Sequence, residues 1–303
     1  MEIDESVLAR IQKQIKDVNI DGAINDLKIF SNCFIDIVGL LHKHQIQLPK
    51  KWYEYYETMG IKFRLNIQSI IKLYEVEKDE GDELIYHDLS SIYLLNRSLL
   101  EIYLTFFYSY VLPGTDEEGL MNYYIFKISG FTQRQGYGID EVHNNSIGRN
   151  KLLESEKLKI DELKSELQKL NTFDRLEEKD KKRLLTGKFA KRFGFIELIQ
   201  MSKLKNILFV DMWKLYSNYA HCELIGLLQT NSYADEPESI NDALYSTLTN
   251  TLIVVSFMIS DFIKVFRNTA AEQAEIEEIN DEFLTLLEFW KGMGTEDIIS
   301  ETI

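Results

Sequence analysis

Residues 92–112 read IYLLNRSLLEIYLTFFYSYVL, and apolar side chains cover most of the circumference of the helix that this spacing predicts. Pro113 and Gly114 follow directly and end that helix, whose start is predicted near residue 83. A helix with so few polar residues has little room for a solvent face. The sequence therefore predicts that this helix lies at the centre of a bundle.

The rest of the chain is also predicted to be helical. Apolar residues recur at helical spacing almost throughout, and no segment shows the sustained alternation of a strand followed by a hairpin turn. The 303 residues include only 3 prolines, and 45% are hydrophobic, which permits long helices around a substantial core. The predicted fold class is all-α: a multi-helix bundle with a central apolar helix and a short charged helical hairpin arm.

Three regions are predicted along the chain. Residues 1–80 form N-terminal helices that pack on the core, residues 83–266 form the helical core domain, and residues 267–303 form an acidic amphipathic C-terminal helix and tail. The charged arm begins near residue 151, where leucine and isoleucine recur at heptad spacing for fewer than three heptads, so it is expected to pack on the body or on a second copy. The C-terminal helix is expected to dock through an apolar stripe of Ile276, Ile279, Phe283, Leu287 and Trp290.

Composition narrows the class of partner and the compartment. The formal net charge is -15 at pH 7, so the chain repels phosphate backbones unless a local basic patch overrides its field. The two cysteines have no neighbouring ligand at metal spacing, so no metal, cofactor or disulfide is expected. The N-terminal sequence lacks a secretory signal, and residues 92–112 and 243–260 are interpreted as helices buried in protein. We therefore expect a cytoplasmic protein with no membrane partner.

Two polar stripes interrupt the apolar pattern and supply the candidate site residues. Within residues 92–112, polar side chains recur every four residues and share one helix face: Arg97, Glu101, Thr105 and Ser109. Either Arg97 and Glu101 form an intrahelical salt bridge that serves packing, or both face a polar pocket, because an unpaired buried charge is very costly.

The second stripe lies on a helix predicted over residues 205–229. It consists of Asp211, Lys214, Ser217, Asn218 and His221, and it is opposite an apolar face that includes Trp213 and Tyr216. His221 has the natural pKa for acid–base work at neutral pH, and Ser217 lies one turn before it. A solvated helix face with an incidental histidine is the alternative.

The two stripes also carry a family resemblance. LLNRSLLEIYL, with Arg97 and Glu101, and WKLYSNYAHCEL, with Ser217 and His221, resemble an uncharacterised bacterial all-helical family that has an Arg-x3-Glu helix and a Ser-x3-His helix. The likeness covers about residues 83–265, and that family is similar in architecture to HEPN-type domains of toxin and phage-defence systems. The resemblance implies a metal-independent ribonuclease site with His221, Arg97, Glu101 and Ser217 as catalytic candidates. The chain departs from the HEPN nuclease signature because Lys214, and no arginine, precedes His221.

One basic segment opposes the global charge. Residues 179–205 contain nine bases and two acids, with phenylalanines interleaved, which suits RNA or an acidic protein surface. The alternatives are a solvated charged face and a partnership with the acidic C-terminal region. The candidate ligand or nucleic-acid contacts are Lys182, Arg183, Lys188, Lys191, Arg192 and Lys214.

These features leave three functions open. The first is a helical binding or assembly protein, in a bacterial antiviral defence or toxin-type system, with a protein partner or a homo-oligomer. The second is a metal-independent HEPN-like ribonuclease that uses His221 with Arg97 and Glu101, with RNA as its substrate. The third is a helical bundle that binds a small ligand through the same stripes. The sequence does not decide between an enzyme and a binding protein.

Overall fold

The structure, a computed structural model, describes residues 4–44, 46, 48–75, 88–137, 147–220, 223, 224, 226–228, 231, 237–270 and 280–295. Within these ranges the regular structure is helical and no strand is present, which confirms the all-α multi-helix bundle. A 3-10 turn spans Lys51–Tyr53, and a π-helical segment spans Phe107–Val111. The α-helices are α1 (Glu5–Lys16), α2 (Ile20–Lys43), α3 (Tyr56–Tyr74), α4 (Leu89–Phe106), α5 (Asp116–Gly136), α6 (Ile147–Gln168), α7 (Asn171–Asp174), α8 (Glu178–Leu185), α9 (Phe195–Met201), α10 (Asn206–Ala220), α11 (Pro237–Ala270) and α12 (Asp281–Gly294).

The chain divides into two compact units. Unit 1 combines residues 1–49, 55–107 and 195–303, and unit 2 combines residues 50–54 and 108–194. Unit 1 therefore contains α1–α4 and α9–α12, whereas unit 2 contains α5–α8. The N-terminal helices and the C-terminal helix belong to the same unit as the predicted central helix.

Two long apolar helices form the middle of unit 1. The predicted central helix, α4, packs against α3, α9, α10 and α11, and α11 packs in addition against α2 and α12. By length and composition, α11 is the one helix among the described residues that is apolar enough to cross a membrane, but 78% of its most apolar window is buried within the protein. Its composition is therefore explained by packing against neighbouring helices.

An aromatic cluster fills the space between α2, α3, α4 and α11. The ring of Tyr56 stacks on that of Phe262 with 4.2 Å between centroids, and its hydroxyl donates a 2.6 Å hydrogen bond to the carbonyl oxygen of Phe262. Phe106 and Phe34 contact the same ring of Phe262. Gly60 allows this close approach, because a Cβ atom there would lie 2.9 Å from Phe262.

The first and last described helices meet in unit 1. Asp4 caps α1 through its side chain, and its backbone N–H donates a 3.1 Å hydrogen bond to the hydroxyl of Thr285 in α12. As predicted, α12 docks by an apolar stripe in which Phe283 and Trp290 are fully buried. Leu287 of the predicted stripe is also buried, whereas Ile276 and Ile279 lie outside the described residues.

A buried ion pair joins α1 to α2. Arg10 Nη1 lies 2.7 Å from Asp26 Oδ1, and the Asp26 side chain is fully buried while that of Arg10 is 36% exposed. Gln14 Nε2 donates a 3.2 Å hydrogen bond to the other oxygen of the same carboxylate. Burial nevertheless raises the pKa of Asp26, and the contacts with Arg10 and Gln14 oppose this rise.

Unit 2 is built around the α5–α6 pair. A capping box of Thr115 and Glu118 starts α5, which continues to Gly136. The charged arm is α6, which packs on α5 through buried side chains that include Ile160 and Leu167. The heptad pattern did not reveal Glu156, which is buried on the same face and lies 2.9 Å from Arg134 of α5.

Candidate functional site

Arg97 and Glu101 of the α4 stripe lie where α4 packs on α10. Arg97 Nε donates a 2.9 Å hydrogen bond to Glu101 Oε1, so the intrahelical salt bridge is the arrangement found. The same carboxylate oxygen accepts a 3.0 Å hydrogen bond from Nε1 of Trp213 in α10. The guanidinium carbon of Arg97 lies 5.4 Å from the centroid of the Trp213 ring. These three side chains are called the Arg97 cluster below.

The Arg97 cluster is partly accessible to solvent. The side chains of Arg97 and Glu101 are 22% and 28% exposed, so neither charge is removed from water. The structure shows no further hydrogen bond of Arg97 to a described residue, which leaves its terminal nitrogens as donors for a ligand. The arrangement can stabilise an anion, and it also fixes α10 against α4.

Aromatic residues hold this helix pair in register. Tyr93 of α4 stacks on Tyr216 of α10 with 4.9 Å between centroids and meets Tyr219 edge to face at 4.6 Å. The ring of Phe195, at the start of α9, also contacts the Trp213 ring, with 6.2 Å between their centroids. The sequence assigned Trp213 to the apolar face opposite the polar stripe, and this assignment overlooked the indole N–H, which needs a partner when the ring is half-buried.

Asp211, Lys214 and Ser217 of the α10 stripe do not join the cluster. The Ser217 hydroxyl donates a 2.7 Å hydrogen bond to the carbonyl oxygen of Trp213 on its own helix. Lys214 is exposed and lies 3.4 Å from Asp211, also on the same helix. His221, the predicted acid–base residue, lies outside the described residues.

The α4 stripe keeps its four-residue spacing only in part. The half-buried Thr105 donates a 2.7 Å hydrogen bond from its hydroxyl to the carbonyl oxygen of Glu101, one turn earlier on the same helix. Ser109 lies in the π-helical segment Phe107–Val111, where a turn contains more than four residues. A spacing of four therefore no longer maintains one face, and Ser109 is not an extension of the Arg97 cluster.

In unit 2, the predicted basic segment is partly occupied by contacts of its own. Arg183 donates a 2.8 Å hydrogen bond to the carbonyl oxygen of Arg192 and lies over the ring of Phe189 at 5.2 Å. Arg192 lies over Phe193 at 5.0 Å, and Lys191 is half-buried. Lys182 and Lys188 are exposed, and among the described residues they have no ion pair. The surface that remains for an anionic partner is smaller than the sequence suggested.

An open apolar groove on α10 was not predicted. Ile207 is 81% exposed and Leu208 is 38% exposed, although the opposite face of the helix buries Phe209 and Tyr216. The sequence signal was available, because apolar residues surround the whole first half of this helix. We call this feature the α10 groove; its volume is about 790 Å³, and it is lined by Lys205, Asn206, Ile207, Leu208, Asp211, Met212 and Leu215.

Comparisons with known proteins identify no relative. No protein-family model, curated protein or solved structure matches this chain. In the part of the chain that the structure describes, no three His, Cys, Asp or Glu side chains are grouped so that they would hold a metal ion. The candidate functional features are therefore the Arg97 cluster, the exposed lysines of unit 2 and the α10 groove.

Proposed function

We propose that this chain is a helical binding or assembly protein and that the α10 groove is its binding surface for another protein. The observation that carries the proposal is the exposure of Ile207, an isoleucine with four-fifths of its surface in water beside the exposed Leu208. Contiguous apolar surface of this kind is favourable to cover and marks interaction sites in soluble proteins. The apolar face of a partner helix suits a groove of this length, because anchors at intervals of three and four residues match the spacing along α10.

The Arg97 cluster supports this proposal as a rigid base for α10. The hydrogen bond between Trp213 and Glu101 and the stacking of Tyr93 on Tyr216 fix the helix from its inner side. A helix held in this way presents its outer face without reorganisation, so less conformational entropy is lost when a partner binds. We further propose a cytoplasmic location and a role in a bacterial defence or toxin-type system, which the family resemblance of the two helices supports.

The proposal is tested by placing a charge in the α10 groove. Ile207→Asp is the test variant, and Leu65→Asp on α3, where the leucine is 53% exposed, is the matched control. Self-association is measured by sedimentation velocity over a wide concentration range, and partner binding by cross-linking in the cells of origin. We expect Ile207→Asp to abolish the association or the cross-linked product and Leu65→Asp to preserve it. A monomeric protein whose cross-linked products are the same with Ile207→Asp contradicts the proposal.

A metal-independent ribonuclease is the second candidate function. The observation that favours it is that Arg97 and Glu101 both contact Trp213 of α10. In this hypothesis Arg97 stabilises phosphate charge and His221 transfers protons. Cleavage of labelled RNA by the purified protein, abolished by both His221→Ala and Arg97→Ala, supports the hypothesis. Equal inactivity of the wild type and His221→Ala between about pH 6 and 8, where histidine titrates, refutes it.

A further inference from the structure

The chain that follows α12 comes close to the α10 groove. Lys205, which lines the groove, donates its backbone N–H to the carbonyl oxygen of Gly294 at 2.8 Å. Leu204 and Thr295 form an isolated antiparallel bridge at the same place. Thr295 is thus fixed beside the beginning of α10, and the residues after it start within reach of the groove.

The composition of residues 296–303 matches the surface of the groove. Their sequence is EDIISETI, with apolar Ile298 and Ile299 after two acidic residues. The groove is apolar at Ile207 and Leu208, and its charged lining residues are Lys205, whose backbone N–H bonds to Gly294, and Asp211. The acidic pair is complementary to Lys205, and the isoleucines that follow are complementary to the apolar side chains.

The length of this segment is sufficient. Eight residues in extended conformation span about 26–29 Å, whereas the apolar part of the groove, from residue 207 to residue 215, extends about 12 Å along the helix. The tether from Thr295 also gives the segment an effective concentration on the order of 1 mM at the groove, so a contact that is weak in isolation is substantially populated.

We propose that residues 296–303 bind in the α10 groove of their own chain and compete there with the protein partner. This inference rests on the proposed function, because it assigns the regulation of the same surface. The segment covers the apolar side chains while the partner is absent and is displaced when a partner helix binds. For a segment that occupies the groove most of the time, removing its apolar anchors increases the apparent partner affinity by about two- to tenfold.

The first test uses the full-length chain with Ile298→Asp and Ile299→Asp together, and Ser300→Asp as the matched control. We expect the double variant to bind more of a fluorescent hydrophobic dye than the wild type, and Ser300→Asp to bind the same amount. Adding Ile207→Asp to the double variant removes the extra dye binding. A synthetic EDIISETI peptide in excess also removes it, whereas the peptide with aspartate at both isoleucine positions has no effect. Equal dye binding by the double variant and the wild type overturns the inference.

The second test needs no change in residues 296–303. A photo-cross-linking phenylalanine analogue is placed at Leu208, and the cross-linked peptides are identified by mass spectrometry. Cross-links within one chain to residues 296–303 support the inference. Cross-links between two copies, or none to this segment, overturn it and show that a second copy or another partner covers the groove.

The failure of this inference is distinguishable from that of the proposed function. If Ile207→Asp abolishes partner binding and the Ile298 and Ile299 variant leaves the partner affinity unchanged, the groove binds its partner without competition. If residues 296–303 cross-link to Leu208 and Ile207→Asp leaves partner binding intact, the segment covers the groove and the partner binds elsewhere.

Discussion

The contact between Glu101 and Trp213 makes a quantitative prediction about the junction of α4 and α10. Trp213→Phe keeps an aromatic ring beneath Arg97 but removes the N–H that lies 3.0 Å from Glu101 Oε1. A hydrogen bond to a charged acceptor contributes about 1.5–3 kcal/mol, and the 28% exposure of Glu101 places this one at the lower end. With the smaller ring area included, we expect Trp213→Phe to lower the free energy of unfolding by about 2 kcal/mol.

Glu101→Gln is the matched perturbation of the same contact. Glutamine retains an oxygen that accepts from the indole, so Glu101→Gln removes the ion pair with Arg97, which contributes about 0.3–0.5 kcal/mol, and weakens the hydrogen bond without breaking it. Because a neutral acceptor makes the weaker hydrogen bond, Trp213→Phe is expected to cost less in the Glu101→Gln background, by about 0.5–1 kcal/mol.

Urea unfolding followed by far-ultraviolet circular dichroism measures all four free energies of this double-mutant cycle. The helical signal is suitable because Trp52 and Trp290 complicate a fluorescence readout. The reasoning is refuted if Glu101→Gln costs as much as Trp213→Phe, or if the two substitutions are additive to within about 0.3 kcal/mol.

Further predictions concern a close approach between helices and a buried charge. Gly60→Ala places a Cβ atom 2.9 Å from Phe262 and is expected to lower the free energy of unfolding by about 1–3 kcal/mol. Gly130→Ala adds a Cβ atom that meets nothing within 4 Å in the interior of α5, and it is expected to raise the free energy of unfolding by about 0.5–1 kcal/mol. Thermal unfolding of both variants checks the opposite signs. Arg10→Met is expected to cost about 1–3 kcal/mol at neutral pH, because it leaves the fully buried Asp26 carboxylate without its cation. Burial already raises the pKa of Asp26, so the stability associated with its protonated form is present below about pH 4 and is lost as the pH rises through the folded-state pKa. The destabilisation by Arg10→Met is therefore expected to become smaller in acid. Urea titrations at several pH values measure this, with Arg10→Met/Asp26→Asn as the control.

The fold class followed from the sequence because helical periodicity and few prolines act locally. The central position of α4 followed from its apolar circumference, which only burial on several sides explains. The π-helical segment Phe107–Val111 could not be predicted in the same way. The segment contains no proline or glycine that would mark the change in helix type, and the four-residue spacing of Ser109 from Thr105 was therefore misleading.

The candidate site was predictable only where chemistry is local. The Arg97–Glu101 pair follows from the i,i+4 spacing alone, whereas its third partner, Trp213, comes from a helix more than a hundred residues later. Periodicity identified the apolar residues of α10 but not which of them have neighbours. Ile207 and Phe209 have the same chemical character in the sequence, yet one is exposed and the other is fully buried, because that difference depends on where α4 and α9 lie.

The hydrogen bond between the start of α1 and Thr285 has a consequence for the order of events during synthesis. Because α12 packs against both α1 and α2, unit 1 reaches its final packing only after α12 has left the ribosome. Residues 108–194 of unit 2 are continuous, and their helices pair with close neighbours in sequence, so this part is expected to fold earlier. Until α12 is synthesised, the apolar surfaces of α2 and α11 that pack against it remain exposed to water.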